Sequence, residues 1–419
     1  MRDLKNHKVI VVGGGAAGMM AAGFASKSGA KVVLLEKNDR LGKKLAITGK
    51  GRCNVTNACS GEEVLKNIPR NHRFLFSALQ AFDSEQTMEF FERYGCALKV
   101  ERGNRVFPVS DKSVDVIDAL QRFLKEQNVE RRRVRATDLI VEDGKIRGVM
   151  TEEGPVYARC VILCTGGCSY PLTGSTGDGY KMAEKVGHSI VTPRGSLVPL
   201  EEDGIWCAKM QGLSLRNVSV KLINQKNKTV YEDFGELLFT HFGLSGPTVL
   251  SASAHCKEGD TYRIAIDLKP ALDEQKLDQR ILRDLEQYQN KTMENALQDL
   301  YPRSLIPVML ERTEIDPEMK ANSLTRQQRR HLLELTKAFT VNILGARPVA
   351  EAIITAGGVK TKEVDPKSME SKLVSGLYFA GEILDVDAYT GGFNLQIAWS
   401  TAYTAGLAAG GRDFTEEEI

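Results

Sequence analysis

The feature that most constrains this chain is a strand-like run, Lys8-Val9-Ile10-Val11-Val12, that gives way to Gly13-Gly14-Gly15-Ala16-Ala17-Gly18. An Ala-rich segment follows, then a second apolar run, Lys31-Val32-Val33-Leu34-Leu35-Glu36. The pattern predicts a strand, a tight turn, a helix and a second parallel strand. Gly13 allows the turn, Gly15 lets a pyrophosphate approach the backbone, and Gly18 lets the helix pack close to the strands. The helix N-terminus, at Ala16 and Ala17, offers free N–H groups to an anion. Glu36, 18 residues after Gly18, can accept hydrogen bonds from a ribose 2'-hydroxyl, which favours NAD or FAD over NADP. The motif by itself does not choose between NAD and FAD.

At 419 residues the chain is too long for one simple core, and ordinary domain sizes predict two or three domains. A net charge of +2 gives no argument for nucleic acid or an anionic membrane as partner. The short basic runs Arg131-Arg132-Arg133 and Arg329-Arg330 read as solvated faces. No apolar stretch approaches the roughly 18 residues of a membrane span. The N-terminus enters the first strand with no room for a signal peptide, so the expected location is the cytoplasm. Eight cysteines are too dilute for a disulfide framework, and free thiols are expected. Cys160, Cys164 and Cys168 read as small core residues; without Cys-x-x-Cys or His-x-x-x-His spacing, no metal site is expected.

The segment Lys37–Asn57 has no clean period and is long for a connection, which predicts a functional loop starting at the dinucleotide crevice. Within it Lys37, Lys44, Thr48, Gly49, Arg52, Cys53 and Asn54 are candidates, by side chain or backbone N–H, to hold phosphate, ribitol or a flavin ring edge. Two amphipathic helical patterns follow between Arg70 and Tyr94. Glu101–Pro108 reads as a short, turn-rich strand bearing two arginines, Arg102 and Arg105; an arginine there can clamp a substrate carboxylate, with a surface ion pair as the more common competing reading. Ser113–Lys125 reads as a helix. Val129–Ala158 alternates in polarity and reads as a three-stranded antiparallel meander. It feeds into the apolar strand Cys160–Cys164 ending in Thr165-Gly166-Gly167. A nucleotide-binding unit, a meander and a returning apolar strand are the organisation of FAD domains of the glutathione-reductase type, which decides for FAD. In the Gly/Thr loop that follows, Asp178 either caps the next helix or contacts the cofactor.

Around Gly195 the composition changes. Short strands at 197–200, 218–223, 229–231 and 262–268 and amphipathic helices at 272–289 and 326–338 predict an inserted α+β domain with a small sheet or barrel. In its Gly- and aromatic-rich stretch Phe234–Pro247, His241 is a candidate for chemistry, with a structural histidine as the competing reading. From Phe339 the Gly-rich signature returns. Gly381 and Glu382 end a short strand, and Gly391-Gly392-Phe393-Asn394 opens a helix whose N–H groups can meet the N1/O2 edge of a flavin.

Taken over nearly its whole length, the chain resembles the bacterial FAD-binding proteins called NAD(FAD)-utilising dehydrogenases, also labelled aminoacetone-oxidase-family or BaiN-like flavoproteins. The motifs that carry the resemblance are Gly13–Gly18, Thr48–Asn54, Arg105–Pro108, Thr165–Tyr180, Gly235–Pro247, Ala346–Pro348 and Gly381–Gln396. Residues 176–179 and the terminal Gly-acid strand are more distantly similar to fumarate-reductase-type flavoproteins. Cys164 and Cys168 depart from the family pattern, which argues against a family-wide redox role for that pair. The resemblance implies an α/β fold: a discontinuous Rossmann-like FAD domain, 1–194 and 343–419, around an α+β insert, 195–342.

The expected activity is that of an FAD-dependent oxidoreductase passing hydride from NAD(P)H through FAD to an activated C=C bond of a small molecule. With no second Gly-x-Gly-x-x-Gly after a strand, NAD(P)H would bind transiently. His241, Arg105 and Tyr389 are the candidate proton donors. The alternatives are an amine oxidase using O2 and a flavoprotein linked to RNA modification; the near-neutral charge speaks against the latter. Nucleic acid and membrane are not expected as partners, and the oligomeric state stays open.

Overall fold

Val9–Val12 offers nothing polar, and the strand it forms, β1 (Lys8–Val12), is buried on both faces as a central parallel strand must be. The computed structural model describes residues 7–257 and 259–412. They divide into two units, one of residues up to Ser196 and from Val349 on, the other of Leu197–Pro348.

In the first unit, β1 is followed by the helix Ala16–Lys27 and by β2 (Lys31–Glu36), parallel to β1 with Val9 opposite Val32. A short helix, Lys43–Ile47, leads to β3 (Thr56–Asn57). The stretch expected as one strand near Arg105 is a hairpin, β4 (Leu98–Glu101) and β5 (Arg105–Pro108), with β3 along its β5 edge. Gly103 and Asn104, at φ 75° and 56°, make the turn. The helix Ser113–Glu126 lays Val116, Leu120 and Phe123 into the core.

The three-stranded antiparallel meander expected over 129–158 is present but begins only at Ala136. β6 (Glu130–Arg133) is not its first strand but pairs in parallel with β2, Leu34 opposite Arg131. All four of its residues are exposed, so nothing in its polarity announces a sheet position. The antiparallel meander is β7 (Ala136–Glu142), β8 (Lys145–Thr151) and β9 (Gly154–Tyr157). β10 (Cys160–Leu163) then returns beside β1, and β11 (Ile190–Ser196) ends this part.

The second unit is a closed six-stranded barrel with a helical part. Its strands are β12 (Leu200–Glu202), β13 (Ser214–Asn224), β14 (Thr229–Phe239), β15 (Gly243–Ser245), β16 (Tyr262–Asp267) and β17 (Phe339–Ala346), in the order β12-β15-β14-β13-β16-β17. Alternate residues Val218, Val220 and Leu222 point inward with Ile264, Ile266, Phe339 and Val341. The helices Glu274–Gln287 and Arg326–Lys337 contribute Leu277, Ile281, Leu332 and Leu333 to the same core. β17 closes the barrel by pairing with both β16 and β12, which carries this unit past position 342 to Pro348.

Back in the first unit, β18 (Ile354–Val359) pairs antiparallel with β11, and β19 (Leu377–Phe379) pairs parallel with β10. The parallel sheet is therefore β19-β10-β1-β2-β6. The helix Phe393–Gly410 is buried almost all round and lies against Ala16–Lys27. Contact that close needs glycine: a Cβ on Gly410 would lie 2.3 Å from the Ala25 carbonyl oxygen. Trp399, fully buried, donates its indole N–H to the Val55 carbonyl at 2.9 Å.

Candidate functional site

The three motif glycines have three different surroundings. Gly13 has φ 103°, and a Cβ there would lie 2.5 Å from the Cys164 carbonyl oxygen. On Gly18 a Cβ would fall 1.7 Å from the Gly13 oxygen, so the first helix could not approach the turn. On Gly15 it would meet nothing within 4 Å. Packing thus demands Gly13 and Gly18, while Gly15 faces open space at the start of a helix with no side-chain cap and no acid in its first turn. The uncapped N–H groups of Ala16, Ala17 and their neighbours are suited to a phosphate oxygen.

Glu36, buried at the end of β2, accepts the Gly14 N–H on Oε2 at 2.7 Å. Its Oε1 accepts the Asn38 N–H at 2.7 Å and side-chain amide at 2.8 Å. Two lone pairs per oxygen leave Oε2 able to take one hydroxyl donor. Beside it, past the ends of β2 and β6, is a polar pocket of about 480 Å³ lined by Lys37, Asn38, Arg133, Val134, Arg135, Glu152 and Glu153. Lys37 reaches across to the Thr176 hydroxyl at 2.7 Å and to Asp178 at 2.8 Å. Arg135 joins Asp178 at 3.1 Å. Asp178 is the first residue of the helix Asp178–Lys185 and makes no capping bond, so the capping reading is not what the structure shows. Burial works to raise its pKa, but the Lys37 bond and charge, with Thr176 and Arg135, hold the carboxyl below its ordinary range. Val134 and Arg135 were not among the residues read from sequence. Their only signal is that a strand following a helix can return beside β2.

Farther along the crevice, Lys44 donates to the Ser169 hydroxyl at 2.6 Å and to both Glu382 oxygens at 2.9 and 2.7 Å. Glu382 also accepts the Thr355 N–H at 2.9 Å and the Ser169 hydroxyl at 3.2 Å. Gly381, at φ 77°, brings its α-carbon against Ala17, where a Cβ would come within 2.8 Å, and donates its N–H to Thr401. Gly166 turns at φ 71°, and a Cβ on Gly167 would lie 2.3 Å from the Thr355 hydroxyl. In the loop, Thr48 bonds back to the Leu45 carbonyl, and Gly49 is left-handed at φ 57°. Cys53 is fully buried, its thiol pushed up to about 12 by desolvation, so it is a neutral packing group. Arg52 stacks on Phe107 at 4.2 Å and pairs with Glu101 and Asp111, both at 2.5 Å; its guanidinium is engaged within the protein. Two buried oxygens, Asn54 Oδ1 and Thr165 Oγ1, have no hydrogen-bond partner among the described residues.

The helix Phe393–Gly410 also opens without a side-chain cap or an acid in its first turn. Gly392, at φ 101°, presses on β3, where a Cβ would be 2.3 Å from the Thr56 oxygen. Phe393 is buried, and Asn394 braces the preceding loop through the Ala388 N–H at 2.9 Å and carbonyl at 2.8 Å. Asn57 donates to both the Gly391 and the Gly103 carbonyl at 3.0 Å, and it stands opposite Arg105 in the β3–β5 pair. Arg105, exposed, and Tyr389, half-buried with its N–H on the Asn67 carbonyl at 2.9 Å, are thereby gathered at this helix end. His241 belongs to the second unit, exposed between β14 and β15 with its ring edge-on to Phe242. A cluster not read from sequence secures the same loop: Arg70 pairs with fully buried Asp387, which also accepts the Ser196 hydroxyl at 2.7 Å, and Asn71 donates to Asp385 at 2.9 Å. Burial raises the Asp385 pKa. Among the described residues no group of three or more His, Cys, Asp and Glu could hold a metal ion.

Open space at Gly15, two uncapped helix starts, an acid with a spare lone pair beside a polar pocket, and two orphaned buried oxygens along the crevice all fit FAD. Fold and site define an FAD-dependent oxidoreductase. The chain belongs to the HI0933-like family, whose model, described as the HI0933-like protein Rossmann domain, matches residues 7–408. It is 32% identical over 416 residues to a 3-dehydro-bile acid delta(4,6)-reductase of Clostridium scindens, covering 97% of this chain and 100% of that one. It is 30% identical to the ribosomal RNA dihydrouridine synthase of Escherichia coli, covering 96% and 97%. The fold is also that of the 3-ketosteroid delta1-dehydrogenase of Sterolibacterium denitrificans, at TM-score 0.51 and 14% identity over 97% of this chain and 100% of that one.

Proposed function

We propose that this protein reduces a C=C bond conjugated to a carbonyl, working in the cytoplasm with NAD(P)H as a transient reductant. One observation carries the reading. Two relatives that match along almost their full length are named for different substrates whose reacting centres share one chemistry. A 3-oxo-4,6-diene and a uracil ring both present an alkene made electrophilic by a carbonyl. Bound FAD would supply the redox chemistry, taking hydride from the nicotinamide and giving it to the alkene.

The protein's own residues bind and orient. Gly13–Gly18 would hold the pyrophosphate, Glu36 the adenosine ribose, and the pocket at Val134 the adenine. Asn54, Thr165 and the Lys44–Glu382 pair would line the path to the ring, whose pyrimidine edge would meet the N–H groups at Gly392–Asn394. Tyr389 is the hydroxyl we assign to protonate the α-carbon, and Arg105 the charge that holds the carbonyl end. The second reading, in which the acceptor is a uracil in RNA, is favoured by the dihydrouridine synthase relative.

Anaerobic stopped-flow mixing of the FAD-loaded protein with NADH or NADPH, then with a conjugated enone, a uridine-containing RNA or O2, separates these readings. Bleaching by a nicotinamide and rapid reoxidation by the enone is the expected result. A flavin that neither nicotinamide bleaches, or that only O2 reoxidises, would overturn the proposal.

A further inference from the structure

Resting on the placement of the flavin's pyrimidine edge at Gly392–Asn394 proposed above, we infer that Gln396 is a positioning residue: through Thr56 it fixes where the uncapped N–H groups of the helix Phe393–Gly410 point. Gln396 lies in the first turn of that helix, is fully buried, and has every polar atom engaged. Its Oε1 accepts the Thr56 hydroxyl at 2.6 Å, and its Nε2 donates to the Phe82 carbonyl and the Ser400 hydroxyl, each at 3.0 Å. The Thr87 hydroxyl is 3.0 Å from the same Oε1 but closer, at 2.7 Å, to the Asp83 carbonyl. Thr56, Thr87 and Ser400 are fully buried as well. A polar cluster inside an apolar core has to be fully satisfied, and once satisfied it specifies one arrangement of the elements that carry it.

The helix start has little else to specify it. The key of this helix into Ala16–Lys27 is at its other end, where a Cβ on Gly406 would lie 2.7 Å from the Ala21 oxygen and one on Gly410 2.3 Å from the Ala25 oxygen. Those glycines lie 10 and 14 residues beyond Gln396, about 15–21 Å along the axis. The chain enters the helix through Gly391 and Gly392, at φ 130° and 101°, a lead-in with the widest backbone freedom. Gln396 closes that gap. The Thr56 it holds belongs to β3, whose Thr56 carbonyl abuts Gly392 and whose Asn57 donates to the Gly391 carbonyl at 3.0 Å. Trp399 and Ser400, on the same helix face, bind the Val55 and Phe82 carbonyls at 2.9 and 2.6 Å.

The core does not need Gln396 to satisfy its neighbours. Without it Thr87 keeps Asp83, Ser400 and the Phe82 carbonyl keep each other, and Thr56 keeps the Ser84 hydroxyl at 3.4 Å. What goes with it alone is the side-chain tie between β3 and the first turn. That tie matters to a negative charge outside the helix, because the attraction of a helix end falls off within one turn.

Sulfite binding to the FAD-loaded protein tests this. The sulfite lone pair forms a bond to N5 of the oxidised ring, and the displaced π pair settles at N1 and O2. Its affinity therefore reads the positive helix end with no nicotinamide, alkene or turnover. Q396M and T56V should each weaken sulfite binding by about five- to ten-fold, the range of a partly buried charge at a helix end. T87V deletes the other hydroxyl near Oε1 but leaves β3 tied, and should stay within about two-fold of wild type. Urea unfolding of the three apoproteins places them on one stability scale. T56V leaves Gln396 itself in place and keeps the comparison open should Q396M lose its flavin. An unchanged affinity in Q396M and T56V, an equal loss in T87V, or losses that simply follow urea stability would make Gln396 an ordinary core residue and overturn the inference. A wild-type flavin that takes up no sulfite would instead remove the positive helix end, and with it the placement on which the inference rests.

Discussion

Replacing Lys44 by Met breaks the ion pair with Glu382 that ties the loop after β2 to the turn after β19. Lys44 and Glu382 keep 21% and 15% of their side-chain exposure, so the pair is largely out of water. Lys44 loses both bonds to the carboxylate and one to Ser169; Glu382 keeps the Thr355 N–H and the Ser169 hydroxyl. Stranding a fully buried charge costs about 3–5 kcal/mol. The residual exposure and the two remaining donors reduce that to about 2–3 kcal/mol for K44M, and E382M should cost a similar amount by stranding the ammonium. Removing both charges leaves neither stranded, so K44M/E382M should lose less than the two single costs added together, by at least about 1 kcal/mol. Urea unfolding of the apoproteins measures this without interference from cofactor loss. Additive single costs, or a K44M cost below about 0.5 kcal/mol, would show that the pair is solvated and that its geometry carries no energy.

Gly18→Ala should cost at least about 3 kcal/mol, because its Cβ would fall 1.7 Å from the Gly13 oxygen, and should yield protein without flavin absorbance. Asn54→Ala should weaken FAD binding by about ten-fold while leaving the apoprotein as stable or slightly more so, since its buried Oδ1 has no partner until a ligand brings one. Equilibrium dialysis and apoprotein melting read the two halves, and a destabilised apoprotein with unchanged affinity contradicts the assignment. Alkali should destabilise the fold through Cys53. Its thiol is raised to about 12, so above the ordinary thiol value near 9 the unfolded chain releases a proton that the folded one keeps. The loss reaches about 1.4 kcal/mol by pH 10, and Cys53→Ala should flatten that part of the stability–pH curve.

The β1–helix–β2 unit was legible because each element's chemistry is local: β-branched residues, glycines at fixed spacing and an acid at the strand end. β6 was not, because an edge strand written Glu130-Arg131-Arg132-Arg133 has no apolar face for a periodicity to find, and its place comes from backbone pairing with β2. Barrel closure was also hidden, since β12 and β17 pair across well over a hundred residues. At the site, the glycines and uncapped helix starts were readable from sequence. The roles of Arg52 and Asp178 were not, because Glu101, Asp111, Lys37 and Arg135 arrive from other parts of the chain.

The central position of β1 has a consequence for synthesis. β2 leaves the ribosome soon after β1, but β10 and then β19, which complete the sheet on β1's other side, come much later. At about 5–20 residues per second, roughly 20–70 s separate β1 from β19. Throughout that interval the apolar helix Ala16–Lys27 exists without the Phe393–Gly410 helix that packs against it, while every strand of the barrel is made before β19. The segment that announces the nucleotide site is thus the one most in need of protection from aggregation while the chain is being made.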